Sequence, residues 1–519
     1  MNVFHYGTDL LTVEKVLALA AGTCKGVLSD EALKKIAASE KNVRSIVEHD
    51  TTVYGVNTGF GILSSTKISK EDTATLQYKI LQSHSVGVGD PVPAEVAKLM
   101  LITKVHALAQ GFSGVQLSTL QRIIWHIEKN IIPVVPEKGS VGASGDLAPL
   151  AHLFLPLIGL GECYYKGERC STAEVYRHEN VQPVPLGPKE GLALINGTQF
   201  ILSFAVKAVQ RMHNCLEAAD IIGAMSLEAL TGTQAPFDER LHALRPFPGN
   251  RLVAQRLRLL LSGSEIMQSH LDCGRVQDPY SLRCMPQVHG ASRTAWVHLK
   301  QLTETELNAV TDNPIILSAH DTISGGNFHG QPLALPLDYA CFAAAELGNI
   351  SDRRCYLLLE GKWGLPVLLM NDVGLNSGFM IPQYTTAALV TENKTLCFPA
   401  SADSIPTSLG QEDHVSMGSI SGRKLNKVLD NLEFILAIEL LSACQAIEFR
   451  QPLKSSALLE YAHDIVREKV SFASEDRVFA DDINRVAGMI QDFSFVEKVN
   501  AFAGQQGIHL NEQFDAFVV

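Results

Sequence analysis

Residues 421–450 read Ser-Gly-Arg-Lys-Leu-Asn-Lys-Val-Leu-Asp-Asn-Leu-Glu-Phe-Ile-Leu-Ala-Ile-Glu-Leu-Leu-Ser-Ala-Cys-Gln-Ala-Ile-Glu-Phe-Arg. No proline interrupts the stretch, and Gln451-Pro452 stops it, so the pattern predicts one long helix. Val428, Leu429, Leu432, Phe434, Ile435, Leu436, Ile438, Leu440, Leu441, Ile447 and Phe449 surround nearly the whole of it. A helix outside a membrane that is apolar on most sides must be buried on most sides. At 1.5 Å per residue it spans about 45 Å. Length and all-round apolarity together predict a bundle core shared between subunits.

Three more stretches predict long helices. Thr198 to Leu230 is dense in Ala, Leu, Ile and Val and stops at Thr231-Gly232. Gly290 to Val310 ends before Thr311-Asp312-Asn313-Pro314. Gln331 to Glu360 ends at Gly361, a C-cap signal, with Pro332 and Pro336 near its start. The expected fold class is mainly α, a long central helix bundle with a smaller loop-rich N-terminal domain. Residues 1–195 form that domain, where helical patches alternate with Gly-rich loops at Tyr54–Gly61, Gly87–Asp90 and Gly139–Asp146. Residues 196–519 form the bundle domain, with a more charged C-terminal helical segment after Pro452.

The chain has 519 residues, 46% of them apolar and 19% charged, which excludes a mainly disordered protein. A monomer of this size is expected to expose roughly 18,000 Å² and bury about three-quarters of its unfolded surface, so disulfides are not needed. Its 43 basic and 55 acidic residues give a net charge of −12, which disfavours nucleic acid and anionic membranes as partners. The 10 cysteines form no CxxC pair and sit singly in apolar surroundings such as Cys215, Cys341 and Cys444, as expected of free thiols in a reducing compartment. Asp9, Glu14 and Lys15 break the N-terminal apolar pattern, and no run reaches about 18 apolar residues, so a soluble cytoplasmic protein is expected. GxxxxGK[ST], a strand-to-helix GxGxxG, HExxH, paired Cys/His spacing and a Gly-x-Ser-x-Gly elbow do not occur. That lowers the odds of an NTPase, a Rossmann dehydrogenase, a zinc hydrolase or an α/β-hydrolase, and no metal is expected.

Residues 139–149 read Gly-Ser-Val-Gly-Ala-Ser-Gly-Asp-Leu-Ala-Pro. Small residues permit a very tight bend. If the chain folds back at Ala143-Ser144-Gly145, the Gly145 nitrogen approaches the Ala143 carbonyl carbon. A peptide nitrogen is a poor nucleophile, so enforced proximity must drive the attack. Ring closure with loss of water, then dehydration of Ser144, yields a five-membered imidazolone with an exocyclic methylene, a strong electrophile. The structural alternative is a small-residue helix start capped by Ser144 or Asp146.

The string Gly142-Ala143-Ser144-Gly145-Asp146-Leu147-Ala148-Pro149-Leu150 resembles the signature of the aromatic amino-acid ammonia-lyases and aminomutases. In that family the tripeptide forms 4-methylidene-imidazol-5-one (MIO). Tyr54-Gly55-Val56-Asn57-Thr58-Gly59-Phe60-Gly61 resembles the family's tyrosine loop, and Ala193-Leu194-Ile195-Asn196-Gly197-Thr198 its asparagine segment. Gln277-Asp278-Pro279-Tyr280-Ser281-Leu282-Arg283 and Gly326-Asn327-Phe328-His329-Gly330 resemble two more.

Ser83-His84 and Gln411-Glu412-Asp413-His414 resemble the histidine-acting branch. A carboxylate suits an imidazole, which has an N–H to donate and can become cationic. Against an apolar phenyl ring the same carboxylate would be buried unpaired. The sequence departs from the family pattern at Arg245-Pro246-Phe247-Pro248-Gly249-Asn250 and at Leu409-Gly410, the second of which bears on the pocket wall.

The resemblance implies deamination of L-histidine to trans-urocanate and ammonia. It implies Tyr54 as β-proton base and Ala143, Ser144 and Gly145 as the source of MIO. Arg283 would bind the substrate carboxylate, Asn196 and Gln277 would add hydrogen bonds, and Tyr280 would position the amine. Phe328 would pack against the MIO ring, while His84 and Glu412 would hold the imidazole. It also implies a homotetramer whose active sites draw on several subunits. Attack on MIO through the amine and through the ring are both compatible with these residues. The rivals are a tyrosine ammonia-lyase, an MIO-dependent 2,3-aminomutase and a non-catalytic helical scaffold.

Overall fold

The computed structural model describes residues 2–271 and 274–511. Four long helices dominate it: Gln199–Ala229, Met285–Leu307, Gln331–Leu359 and Gly418–Glu448. They match the four stretches expected from sequence. The second starts earlier than expected because Pro286 sits in its first turn, where a missing N–H costs nothing.

Gly418–Glu448 packs against Gln331–Leu359 and Gln199–Ala229, and is flanked by Met380–Leu396 and Phe479–Gln491. Its apolar residues from Leu425 to Leu441 are almost all fully buried within the one chain. Within the one chain, these neighbours cover the helix. The polar Glu439 survives in the middle because Arg354 Nη2 donates to its Oε2 at 2.9 Å and Ser226 Oγ to its Oε1 at 2.7 Å. A carboxylate so deep is tolerable only when paired and hydrogen-bonded.

The uncovered apolar surface lies elsewhere. Along Gln331–Leu359, Leu335, Tyr339, Phe342 and Tyr356 are all close to half exposed, joined by Ile381 and Tyr384 on the next helix. The chain exposes 21261 Å², against about 18,000 Å² expected of a compact monomer this size.

Strands are short and peripheral. Asn2–Tyr6 pairs in parallel with Cys24–Leu28. Val88–Pro91 pairs antiparallel with Pro136–Lys138, which delivers the chain to the Gly139–Asp146 loop. Ile132–Pro133, Glu162–Tyr165 and Glu168–Ser171 make a three-stranded sheet, and Ile315–Ser318 pairs with Asp321–Ile323. One continuous apolar core runs from Phe4 to Leu510. Among the described residues no helix is long and apolar enough to cross a membrane.

Candidate active site

The Gly139–Asp146 loop bends as the small residues require. Gly142 and Gly145 lie at φ +87° and +88°, and Ser144 between them at +49°. A left-handed serine costs on the order of 1 kcal/mol or more and persists only where its surroundings hold it. Here the asparagine segment holds it. Gly197 N–H donates to the Ser144 carbonyl at 3.1 Å, and Asp146 N–H donates to the Gly197 carbonyl at 2.9 Å. A Cβ on Gly145 would lie 2.1 Å from the Gly197 oxygen, so only glycine fits. Across the bend, Gly145 N–H donates to the Gly142 carbonyl at 3.3 Å.

Asp146 does not cap the Leu147–Phe154 helix it precedes. Its carboxylate instead accepts from the Phe200 and Ile201 amides, each at 3.0 Å, at the start of Gln199–Ala229. Asp146 thus caps a helix, as the capping alternative has it, but one whose bonded amides lie 54 and 55 residues further along the chain rather than its own. Burial pushes the Asp146 carboxyl up to about 7, against the pull of those amides.

Three cavities, of about 410, 240 and 400 Å³, lie around residues 143–144, and Ser144 lines the first and the third. Tyr54, Ser144, Asn196 and Glu412 line the two larger ones. His84 faces Glu412 across the largest and the smallest, Ala143 lines the smallest, and Phe328 lines the third. Ser144 Oγ donates to Glu412 Oε1 at 3.5 Å, and Thr407 Oγ1 donates to Glu412 Oε2 at 3.0 Å. Thr407 and Glu412 also exchange backbone hydrogen bonds, closing a tight turn. Leu409 at its tip is 90% exposed and lines none of the three cavities. The expectation that Leu409-Gly410 alters the pocket wall is therefore corrected: Thr407, Ser408 and Glu412 make that wall.

Burial lowers the His84 pKa, with Glu412 opposing the fall, so its ring is neutral around neutral pH. Burial raises the Tyr54 phenol, and the Glu412 charge adds to that; the Gly61 amide, donating to the phenol oxygen at 3.3 Å, works the other way. Asn196 is buried, and its Nδ2 donates to the Asn313 carbonyl at 2.8 Å and to Asp312 Oδ1 at 3.3 Å. His152 accepts from the Gly87 amide at 3.0 Å, a structural role that steadies the neighbouring strand.

Gln277, Tyr280 and Arg283 line none of these cavities. They sit before and in the short Tyr280–Arg283 helix, with Tyr280 71% exposed and the Arg283 guanidinium over its ring at 4.5 Å. Arg283 Nε is buried with no hydrogen-bond partner among the described residues. The loop holding them is pinned by Asp278, which accepts from the Thr233 amide at 2.7 Å.

Sequence reasoning missed the layer behind Asn196. Lys104 Nζ donates to the Asn196 carbonyl, and Lys189 Nζ pairs with Asp312, all of these side chains being buried. The available signal was a lysine at 104 inside Ala94–Ala109, a helix whose residues from Leu99 to Ala109 are all buried.

The profile of the family described as "Aromatic amino acid lyase" matches residues 11–468. The chain belongs to this family. It is a carbon–nitrogen lyase by that membership, and the family works through an MIO electrophile made from its own chain. A histidine ammonia-lyase of Natranaerobius thermophilus is 47% identical over 481 residues, covering 92% of this chain and 95% of that protein. The crystal structure of histidine ammonia-lyase from Trypanosoma cruzi is 41% identical, covers 97% of this chain and 96% of its own, and superposes with a TM-score of 0.89. A tyrosine aminomutase from Streptomyces globisporus is 34% identical, with 98% and 100% coverage and a TM-score of 0.92. The backbone is therefore shared by lyase and mutase, and side chains must separate them.

Proposed function

We propose that this lyase deaminates L-histidine to trans-urocanate and ammonia, with MIO formed from Ala143, Ser144 and Gly145. The observation that carries the substrate is Glu412, set within 3.5 Å of Ser144 and facing His84 across one cavity. An imidazole there finds a carboxylate for its N–H and a second ring to bond. A phenol or phenyl ring would leave the carboxylate poorly matched. The named activity of the N. thermophilus and T. cruzi relatives supports the same substrate.

The bend fits the ring. Ser144 is already left-handed between two left-handed glycines, and no side chain at 145 stands in the way. Once formed, the group supplies an electrophilic carbon that turns a poor amine leaving group into a better one. The remaining work falls to the chain. Glu412 and His84 orient the imidazole. Tyr54, as its phenolate, takes the β-proton and becomes neutral, and the Gly61 amide that donates to its oxygen favours the charged form against burial and the Glu412 charge. Phe328 closes the third cavity beside Ser144. Arg283 grips the substrate carboxylate, with Gln277 and Tyr280 beside it.

That last set stands on an exposed surface, so we infer that a second copy of the chain brings it to the cavity within a homotetramer. The apolar stripe Leu335, Tyr339, Phe342 and Tyr356 and the unpartnered Arg283 Nε support this. The nine described cysteines are all free thiols, which suits the cytoplasm. The proposed division near residue 195 falls between the short Glu190–Ile195 helix and the long helix that starts at Gln199.

Purified protein incubated separately with L-histidine, L-tyrosine and L-phenylalanine tests the reading. Urocanate absorbance from histidine alone is the expected result. Coumarate or cinnamate would overturn the role of Glu412. A β-amino acid product would make the chain a mutase.

A further inference from the structure

One peptide group links a buried cation to the reactive segment. The carbonyl of the 196–197 peptide accepts from Lys104 Nζ, and the N–H of that same peptide donates to the Ser144 carbonyl at 3.1 Å. The Ser144 carbonyl is the one that stays conjugated with the exocyclic carbon after ring closure. When a nucleophile adds to that carbon, the displaced π pair moves to the Ser144 oxygen. Donors aimed at the atom where charge develops are among the strongest levers a site has. Hydrogen bonds in series polarise one another, and a charged donor at the head strengthens the next N–H as a donor.

Lys104 is expensive where it stands. It is 1% exposed, on a helix where Leu99, Met100, Leu101, Ile102 and Val105 fill the neighbouring space. An apolar side chain of similar length would fill the same volume without burying a charge. Burial pulls the ammonium down to about 7, Lys189 adding to the fall while Asp312 and Asp146 resist it. Asp312 also receives Asn196 Nδ2, so the same layer fixes the asparagine side chain and its backbone.

We propose that Lys104 is a positioning residue for the electrophile: bonded to the Asn196 carbonyl, it orients and polarises the 196–197 peptide so that Gly197 N–H stabilises charge on the Ser144 oxygen. This rests on the reading of Ala143-Ser144-Gly145 as the source of MIO.

The test uses potassium cyanide as a small nucleophile that needs none of the substrate-binding groups. The cyanide carbon bonds to the former Ser144 Cβ, the π pair shifts to the Ser144 oxygen, and water returns a proton, for a net gain of one HCN. Intact mass reports both this gain and the prior loss of two waters, roughly 36 Da. Lys104→Met and Lys104→Gln are compared with wild type after each shows the full water loss and wild-type melting. Cyanide addition and kcat are expected to fall together by roughly ten-fold, less than the loss of a whole oxyanion donor, with KM for histidine nearly unchanged. Should Met fail to fold at 104, Gln, polar and one atom shorter than lysine, removes the charge. Cyanide addition at the wild-type rate in either folded variant would overturn the proposal, even if turnover fell. Wild-type protein without the water loss would instead break the underlying reading and leave Lys104 without an electrophile to serve.

Discussion

The two halves of the candidate site are built in opposite ways. One half, around Ser144, is knitted together within the chain: Ser144, Asp146 and Gly197 bond to one another, and Tyr54, His84 and Glu412 line the cavities beside them. The other half, Gln277, Tyr280 and Arg283, lies outside these cavities: Gln277 and Tyr280 are exposed, the half-buried Arg283 stacks its guanidinium on Tyr280, and Asp278 pins their loop. The residues proposed to make the reactive group therefore meet within one chain. A site for gripping the substrate carboxylate needs a preset cation, which can arrive on a neighbour. On the proposed reading, one chain holds the residues for the chemistry in its own cavities and offers the clamp for the substrate carboxylate to a neighbour.

The largest expected effect comes from the Ser144 half. Ser144→Ala removes the hydroxyl needed for dehydration, so intact mass should lose the deficit of roughly 36 Da and activity should vanish. Full activity in that variant would defeat the MIO reading. Next comes the other half. Arg283→Ala should lower kcat/KM by roughly 10–100-fold, the worth of a charge-assisted hydrogen bond or two. Co-expressing it with Ser144→Ala, each inactive or weak alone, should restore part of the activity. No restoration would show that both halves work within one chain.

Glu412→Gln sharpens the comparison from the inside. It keeps the shape and the Thr407 contact but removes the charge, and kcat/KM for histidine is expected to drop by roughly ten-fold or more. A gain in turnover of tyrosine or phenylalanine relative to histidine is the accompanying sign, read from product absorbance.

The smallest effect concerns stability. Asp146 titrates at about 7 in the folded chain against 3.8 when exposed. The folded state therefore holds the proton more tightly than the unfolded state between those values. Stability from this group is fully present below 3.8 and is lost as pH rises from there through about 7. Asp146→Asn should flatten that part of the melting-temperature profile. A matching change at the exposed Tyr280, Tyr280→Phe, should leave the profile as it was.

The bundle was legible because helix signals are local. Thr231-Gly232, Gly361 and Gln451-Pro452 stop helices through backbone chemistry that needs no partner. Ala143-Ser144-Gly145 was legible for a similar reason, since a bend of small residues is a property of those residues. Leu409 was misjudged because neighbours in sequence at a tight turn point in opposite directions, and only coordinates say that Ser408 faces in and Leu409 out. Lys104 was passed over because its partner is the backbone of a segment ninety-two positions away.

By itself, the sequence determined the helices, the bend at Ser144 and the stock of acids, bases and cations available to a site. Tertiary structure decided which of these meet. It set Glu412 against Ser144, turned Asp146 toward a distant helix, and left Arg283 outside. It also buried the 418–448 helix within its own chain and moved the uncovered apolar face to residues 335–356. The reason is physical: propensity and local strain act over a turn or two of chain, whereas burial, pairing and field act through space, where residues hundreds of positions apart are neighbours.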